Sequence, residues 1–261
     1  MSTVSAPRTS AARSAISKIA FAGIDLSAIL LLAHFVRGEA KHNSADAAPK
    51  PKTAAHAVAN FGKLPLMFER NQGQTDPGVK FLSRDKGYTL WLTAEEAVMA
   101  FAQNGSSKRA KLSENSFPNQ RAQDPVLRMR LQGANHNPEI RGLDEMPGRS
   151  HYFVGNDPAK WHRNVPNYTR VRYSNVYPGI DLVYYGNQNQ LEYDFVVSPG
   201  ADPGKIKLSV TGAERIRVDK AGDLVVHAAN NHEVRWRKPA VFQEADGKRS
   251  EIAGEYLVSK K

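Results

Sequence analysis

Residues 177–195 read YPGIDLVYYGNQNQLEYDF, two runs of alternating apolar and polar side chains around a polar knot, Gly186-Asn187-Gln188-Asn189-Gln190. Closing the turn so that Gly186 lies opposite Leu191 sets Tyr184 against Tyr193, Leu182 against Phe195 and Ile180 against Val197. Those six side chains fall on one side of the ribbon. Asp181, Val183, Tyr185, Glu192, Asp194 and Val196 take the other. A one-residue slip mixes the two faces, and each cross-strand apolar or aromatic pair adds roughly 0.2–1 kcal/mol. The stretch reads as an antiparallel hairpin in this register, and no ligand is needed to explain it.

The same period-two pattern recurs on both sides of the hairpin. VKFLSR (79–84) and YTLWLT (88–93) flank a short turn at Asp85-Lys86-Gly87, and EAVMAF (96–101) follows. VLRMRL (126–131) places Leu127, Met129 and Leu131 inward and Arg128 and Arg130 outward. Further strands are expected at YTRVRY (168–173) and KIKLSV (205–210), and then in RIRVD, DLVVHA, EVRWR, AVFQEA and EYLV. The polar stretch Gln103 to Asp124 reads as a surface loop. Asp157-Pro158 suits a helical turn with Asp as its cap, and Asp219-Lys220-Ala221-Gly222 suits a turn between strands. Beyond residue 60 no segment offers a long amphipathic helix, and no repeat recurs at a period of roughly 20–50 residues. The expected fold is all-β, an antiparallel β-sandwich of many short strands spanning 61–261.

Three readings compete for the acids of the hairpin. In the register above Asp181 and Asp194 are diagonal neighbours, their backbones roughly 7–8 Å apart. They can share a calcium ion, or approach the roughly 5 Å separation of retaining glycosidases, with Tyr185 and Glu192 alongside for sugar contact. The simplest account is a solvated sheet face, in which case Asp194→Asn changes almost nothing. Two further places offer ligand contacts. Asn71, Gln72 and Gln74 in FERNQGQTD (68–76) can hydrogen-bond a glycan, or satisfy backbone groups at the end of a sheet. Trp161 and Tyr168 in DPAKWHRNVPNY can stack on a sugar, or plug one end of the sandwich.

Other chemistries are excluded by what the chain lacks. It contains no cysteine, which removes disulfides, thiolate zinc sites and cysteine nucleophiles. Its eight histidines show no ligand spacing such as HExxH. GADPGKIK (200–207) has one residue too few between its glycines for a phosphate loop, and Ile206 where a hydroxyl should hold magnesium. There is no GxSxG elbow. No catalytic residue and no cofactor is assigned, calcium at the hairpin acids being the one metal reading.

The formal charge is +10, of which residues 1–60 carry +4 and the remainder +6. A modest basic surface favours anionic envelope polymers, and with no groove-reading element nucleic acid is not an expected partner. Arg8, Arg13 and Lys18 precede the apolar run LSAILLLAHFV (26–36), too short to span a bilayer and suited to a signal-peptide core. Gly38-Glu39-Ala40 offers a cleavage site after Ala40. Residues 1–40 are therefore expected to be a signal peptide or membrane anchor, the chain's only membrane contact. Residues 41–60, rich in Ala, Lys and Pro, are expected to be a spacer.

FERNQGQTDPGVKFLSR, HYFVGNDPAKWHRNVPNY, VYPGIDLVYYGNQNQLEYDFVVSPGADP and GDLVVH…KPAVFQE together resemble the N-terminal domain of bacterial SBBP-repeat surface proteins, over roughly residues 64 to 260. The resemblance implies an exported β-rich module ahead of β-propeller-type repeats and carries over no catalytic residues. No repeat appears within this chain, so repeat-dependent adhesion is not implied by its own residues. The expected function is a non-catalytic extracellular binding or architectural module contacting polysaccharide or another envelope component. The alternatives are a polysaccharide hydrolase or lyase using the hairpin acids, and a structural cap for a repeat-containing polypeptide.

Overall fold

The computed structural model describes residues 2–5, 16–21, 24–25, 66–85, 87–101, 117–118, 125–187, 190–245 and 248–260. The apolar run 26–36, the spacer 41–60 and all of the loop 103–124 except Phe117 and Pro118 lie outside them. The fold is all-β, as the alternating runs require. In chain order the strands are β1 (Ser2–Ser5), β2 (Ile16–Phe21), β3 (Ile24–Asp25), β4 (Phe68–Arg70), β5 (Val79–Arg84), β6 (Tyr88–Thr93) and β7 (Glu96–Phe101). Then come β8 (Val126–Leu131), β9 (Glu139–Tyr152), β10 (His162–Tyr177), β11 (Ile180–Asn187), β12 (Gln190–Val197) and β13 (Lys207–Thr211). The last are β14 (Ala213–Val218), β15 (Leu224–Ala228), β16 (His232–Trp236), β17 (Ala240–Ala245), β18 (Lys248–Ile252) and β19 (Leu257–Lys260). Among the described residues the only helices are two 3-10 turns, Pro158–Lys160 and Pro203–Lys205, each capped by an Asp side chain. No helix there is long and apolar enough to cross a membrane.

All pairings are antiparallel. One long curled sheet runs β18-β17-β2-β12-β11-β10-β4-β5-β6-β7-β8-β13-β1-β19, with β9 paired to β10, and a four-stranded sheet runs β14-β15-β16-β3. One core joins the two sheets. Phe68, Leu90, Phe195 and Val210 of the long sheet cluster with Leu224, Val226, Val234 and Trp236 of the short one. The opening hairpin adopts the register read from its sequence, Ile180 opposite Val197 through to Gly186 opposite Leu191.

The pivot of the curl is β10, sixteen residues long. It pairs β9 along one edge, while its first half pairs β4 and its second half β11. Because Tyr168 pairs both Glu145 and Phe68, and Arg170 both Leu143 and Tyr185, β4 and β11 share the edge opposite β9. The sheet therefore branches at β10, and β9 lies outside the branch as a mostly exposed strand.

Candidate functional site

The sequence-selected residues fall in two places. Asp181, Tyr185, Glu192 and Asp194 lie on the β11–β12 ribbon, while Asn71, Gln72 and Trp161 lie around the end of the β9–β10 hairpin.

On the ribbon the solvated-face account fails. Asp194 is 2 % exposed and Glu192 9 %, and β2 pairs along the edge of β12 that includes Asp194. Asp194 Oδ1 accepts a hydrogen bond from the Tyr185 hydroxyl at 3.0 Å. Burial first, then the charges of Asp194 and Glu192, lift the Tyr185 hydroxyl far above its ordinary value. Asp181 has a separate task. Its Oδ2 accepts from Arg172 Nη2 at 2.5 Å and from Nε at 3.1 Å, and its Oδ1 accepts from the Asn175 backbone N–H at 2.7 Å. Asn175 has φ of +53° and sits where the β10–β11 register shifts, so Asp181 holds a bulge in place. The two aspartates thus have different partners. Among the described residues no group of three His, Asp or Glu side chains converges to hold a metal ion.

The loop of Asn71 and Gln72 is tied to itself. Asn71 Nδ2 donates to the carbonyls of Asp76 and Val79 at 2.8 and 2.9 Å, and its Oδ1 accepts from the Gly73 N–H at 3.0 Å. Gln74 is buried; its Oε1 accepts from the Gln72 N–H at 2.7 Å and its Nε2 donates to the Arg70 carbonyl at 2.8 Å. These amides replace the ladder where β4 ends. The Gln72 side chain itself is exposed. Beside the loop opens a polar hollow of about 550 Å³, lined among others by Arg70, Lys80, Thr75 and Asn137.

At the hairpin end β9 and β10 pair as far as Tyr152 opposite His162, and 153–161 form the connection. The Asp157 side chain caps the turn by accepting from the Ala159 N–H at 3.0 Å, as the Asp-Pro pair implied. Trp161 does not plug the sandwich. Its Nε1 donates to the Gly155 carbonyl at 3.1 Å, and its ring meets Phe153 edge-on at 5.2 Å. The Arg163 guanidinium lies over both rings, 5.3 Å from Phe153 and 5.2 Å from Trp161, and His151 stacks parallel to Phe153 at 6.0 Å. Phe153 and Val154 are nonetheless 58 % and 61 % exposed. Tyr168, the other stacking candidate, packs edge-on against Phe81 at 5.8 Å below the sheet surface.

The amide loop and the aromatic end are neighbours. Gly73 has φ of +107°, and a Cβ there would lie 2.7 Å from His162 Cε1, so glycine both permits the turn and admits the ring. Beneath them Glu69, 6 % exposed, accepts from Arg84 Nη1 at 2.9 Å and from the Tyr152 hydroxyl. Burial first and then Glu69 push the Tyr152 hydroxyl up. This group ties the end of the hairpin, through Tyr152, to Glu69 of β4 and Arg84 of β5. Phe153 was not singled out in the sequence, because only the hairpin register brings it to Trp161, and Arg163, two residues from Trp161, was not singled out either.

Fold and site define an all-β module in which Asp181 and the loop amides hold its own backbone in place, Asp194 pairs with Tyr185, and one hairpin end presents aromatic surface. The chain belongs to the family described as Domain of unknown function (DUF7948), whose model matches residues 68–261. No curated protein and no solved structure matches it.

Proposed function

We propose that the chain is a non-catalytic, exported binding module whose contact surface is the end of the β9–β10 hairpin, with polysaccharide of the cell envelope as the ligand class. The observation that carries this reading is the cluster in which exposed Phe153 and Arg163 pack around half-buried Trp161. Aromatic surface left open beside polar groups is the pattern of a contact site. Gln72 and the polar hollow beside Asn71 supply hydrogen-bonding groups on the neighbouring loop. Export is supported by the basic and apolar leader, and placement in a surface protein by the resemblance to SBBP-repeat domains. The hydrolase alternative draws no support from the ribbon, where Asp194 is buried against Tyr185 and Asp181 is held by Arg172.

The test is retention of the chain on insoluble polysaccharides and cell-wall preparations at low and moderate salt. Retention on one polymer should survive salt and fall at least about tenfold in Trp161→Ala and Phe153→Ala, the loss of one to two stacking contacts. Retention that both variants keep, or that vanishes with salt, defeats the assignment and leaves only the basic charge acting.

A further inference from the structure

Strand β2 lies between two strands that do not pair with each other. Ser17–Phe21 face Val197–Tyr193 of β12, and Ile16–Ala20 face Glu244–Ala240 of β17. Both pairings are antiparallel, so β12 and β17 run parallel to one another, two strand spacings or roughly 9–10 Å apart. Each has its other edge occupied, β12 by β11 and β17 by β18. The gap is one strand wide.

Both lips of this gap pair β2 in unbroken register, and each carries one acid, Asp194 and Glu244. Native edges are guarded by lysine, proline or a bulge. The facing stretches YDFVV (193–197) and AVFQE (240–244) hold neither lysine nor proline, and both ladders to β2 keep register throughout. Tyr193, Asp194, Phe195 and Val241 are buried to 2 % exposure or less. A second gap repeats the arrangement: β1 lies between β13 and β19, antiparallel to both. Both gaps are filled from the first 21 residues of the chain.

We propose that this domain is completed by strand donation. The slot between β12 and β17 is a binding site for one extended, antiparallel polypeptide segment, and its occupant in this chain is its own N-terminal segment Ile16–Phe21. Two rows of backbone N–H and C=O groups bind the segment, as in β-strand addition. Selectivity comes from the side chains on the lips. Position 19 stands between Phe195 and Val241, both fully buried, and calls for an apolar residue; position 20 stands between Asp194 and Ala240 and calls for a small one. The sequence has isoleucine at position 19 and alanine at position 20. The donor belongs to the stretch read above as an export leader, so removal of that leader converts a closed sheet into a strand acceptor.

The chain has no cysteine, so introduced pairs report on this contact alone. Opposed residues on antiparallel strands lie about 4.5–5.5 Å apart, within disulfide reach. In the full chain, Ala20→Cys with Ala240→Cys should oxidise to an intramolecular disulfide. Phe21→Cys with Ala240→Cys, one position out of register, should react at least about tenfold more slowly because the side chains point to opposite faces. A covalent dimer would place the donor on a second copy, and free thiols would leave the slot without this segment; either outcome overturns the proposal. Ile19→Pro gives an independent readout, since proline removes a ladder donor. Amide exchange along β12 and β17 should then rise about tenfold or more, and a peptide of residues 14–23 should reverse it. Unchanged exchange overturns the proposal as well.

Discussion

Replacing Asp194 by alanine separates a buried, structural carboxylate from a solvated one. The side chain is 2 % exposed and accepts the Tyr185 hydroxyl at 3.0 Å. A hydrogen bond to a charged group contributes about 1.5–3 kcal/mol. Tyr185 is only half-buried, so its freed hydroxyl can turn to water and the loss falls toward the lower end, about 2 kcal/mol. With a urea slope of about 2 kcal/mol/M for a domain of this size, the midpoint should drop by about 1 M at constant slope. Tyr185→Phe should cost less, about 1 kcal/mol, since it leaves the carboxylate its remaining contacts. The double variant should recover about 1 kcal/mol relative to the sum of the two, the signature of a direct pair. A second readout follows from the causes of the Tyr185 shift. Burial comes first and the Asp194 charge second, so Asp194→Ala should let Tyr185 ionise at a lower pH while keeping it above an exposed tyrosine. A midpoint shift below about 0.25 M for Asp194→Ala, or strict additivity in the cycle, would refute the buried pair and restore the solvated face.

Two further outcomes follow from the same coordinates. Gly212→Ala should destabilise by at least about 2 kcal/mol, because its φ is +84° and a Cβ would stand 1.9 Å from the Val126 carbonyl oxygen, a backbone atom that cannot swing aside; a urea midpoint equal to that of the unaltered chain contradicts it. At high pH the tyrosines should act together. Eight of the nine are held above their ordinary value, Tyr88, Tyr152, Tyr173, Tyr177, Tyr184, Tyr185, Tyr193 and Tyr256, in each case by burial first. The unfolded chain releases these protons near pH 10 and the folded chain does not, so stability is untouched below about pH 9 and falls as pH rises past 10. Phenolate absorbance should therefore appear in one steep step together with loss of the β-sheet circular dichroism signal. A gradual rise centred near pH 10 with the fold intact rules this out.

The hairpin register was legible because only one alignment of residues 177–195 segregates apolar from polar side chains, and both strands are local in sequence. The burial of Asp194 was not, because it depends on strands that come from far away in the chain. On β12 a carboxylate beside a tyrosine looks the same in sequence whether its face is open to water or covered. Strand β9 escaped notice for a different reason. Gly142, Pro147 and Gly148 interrupt Glu139–Tyr152, and those residues ordinarily mark turns. Among the described residues β9 pairs with β10 alone; Pro147 and Gly148 fall where that register shifts, and Gly142 lies against the Tyr168 ring, which a Cβ would meet at 2.4 Å. At the hairpin end the broken pattern around Asp157 and Trp161 marked the Asp-capped turn that the structure shows. The cluster there needs Tyr152 set opposite His162 before Phe153 and Arg163 can meet Trp161.

On the proposed reading of residues 1–40 as an export leader and of Ile16–Phe21 as a donated strand, the N-terminal segment carries two demands that are compatible in sequence but not in time. An export leader is recognised by composition, basic residues followed by an apolar run, as soon as it emerges from the ribosome. A donated strand is recognised by backbone pairing and by the residues at alternate positions, and it needs both lips of its slot. One lip, β17, lies about 220 residues after Ile19. At roughly 5–20 residues per second the second lip appears about 10–45 s after the donor. Closing so long a loop is also entropically costly, so pairing follows the collapse of the rest of the sheet. Under that proposal a leader engaged by export machinery within that interval would never reach β12 and β17, whereas a leader left free would. The proportion of chains cross-linked through Ala20→Cys and Ala240→Cys should therefore rise when export is blocked and fall when it is efficient. A proportion indifferent to export would mean that the two fates do not compete for these residues.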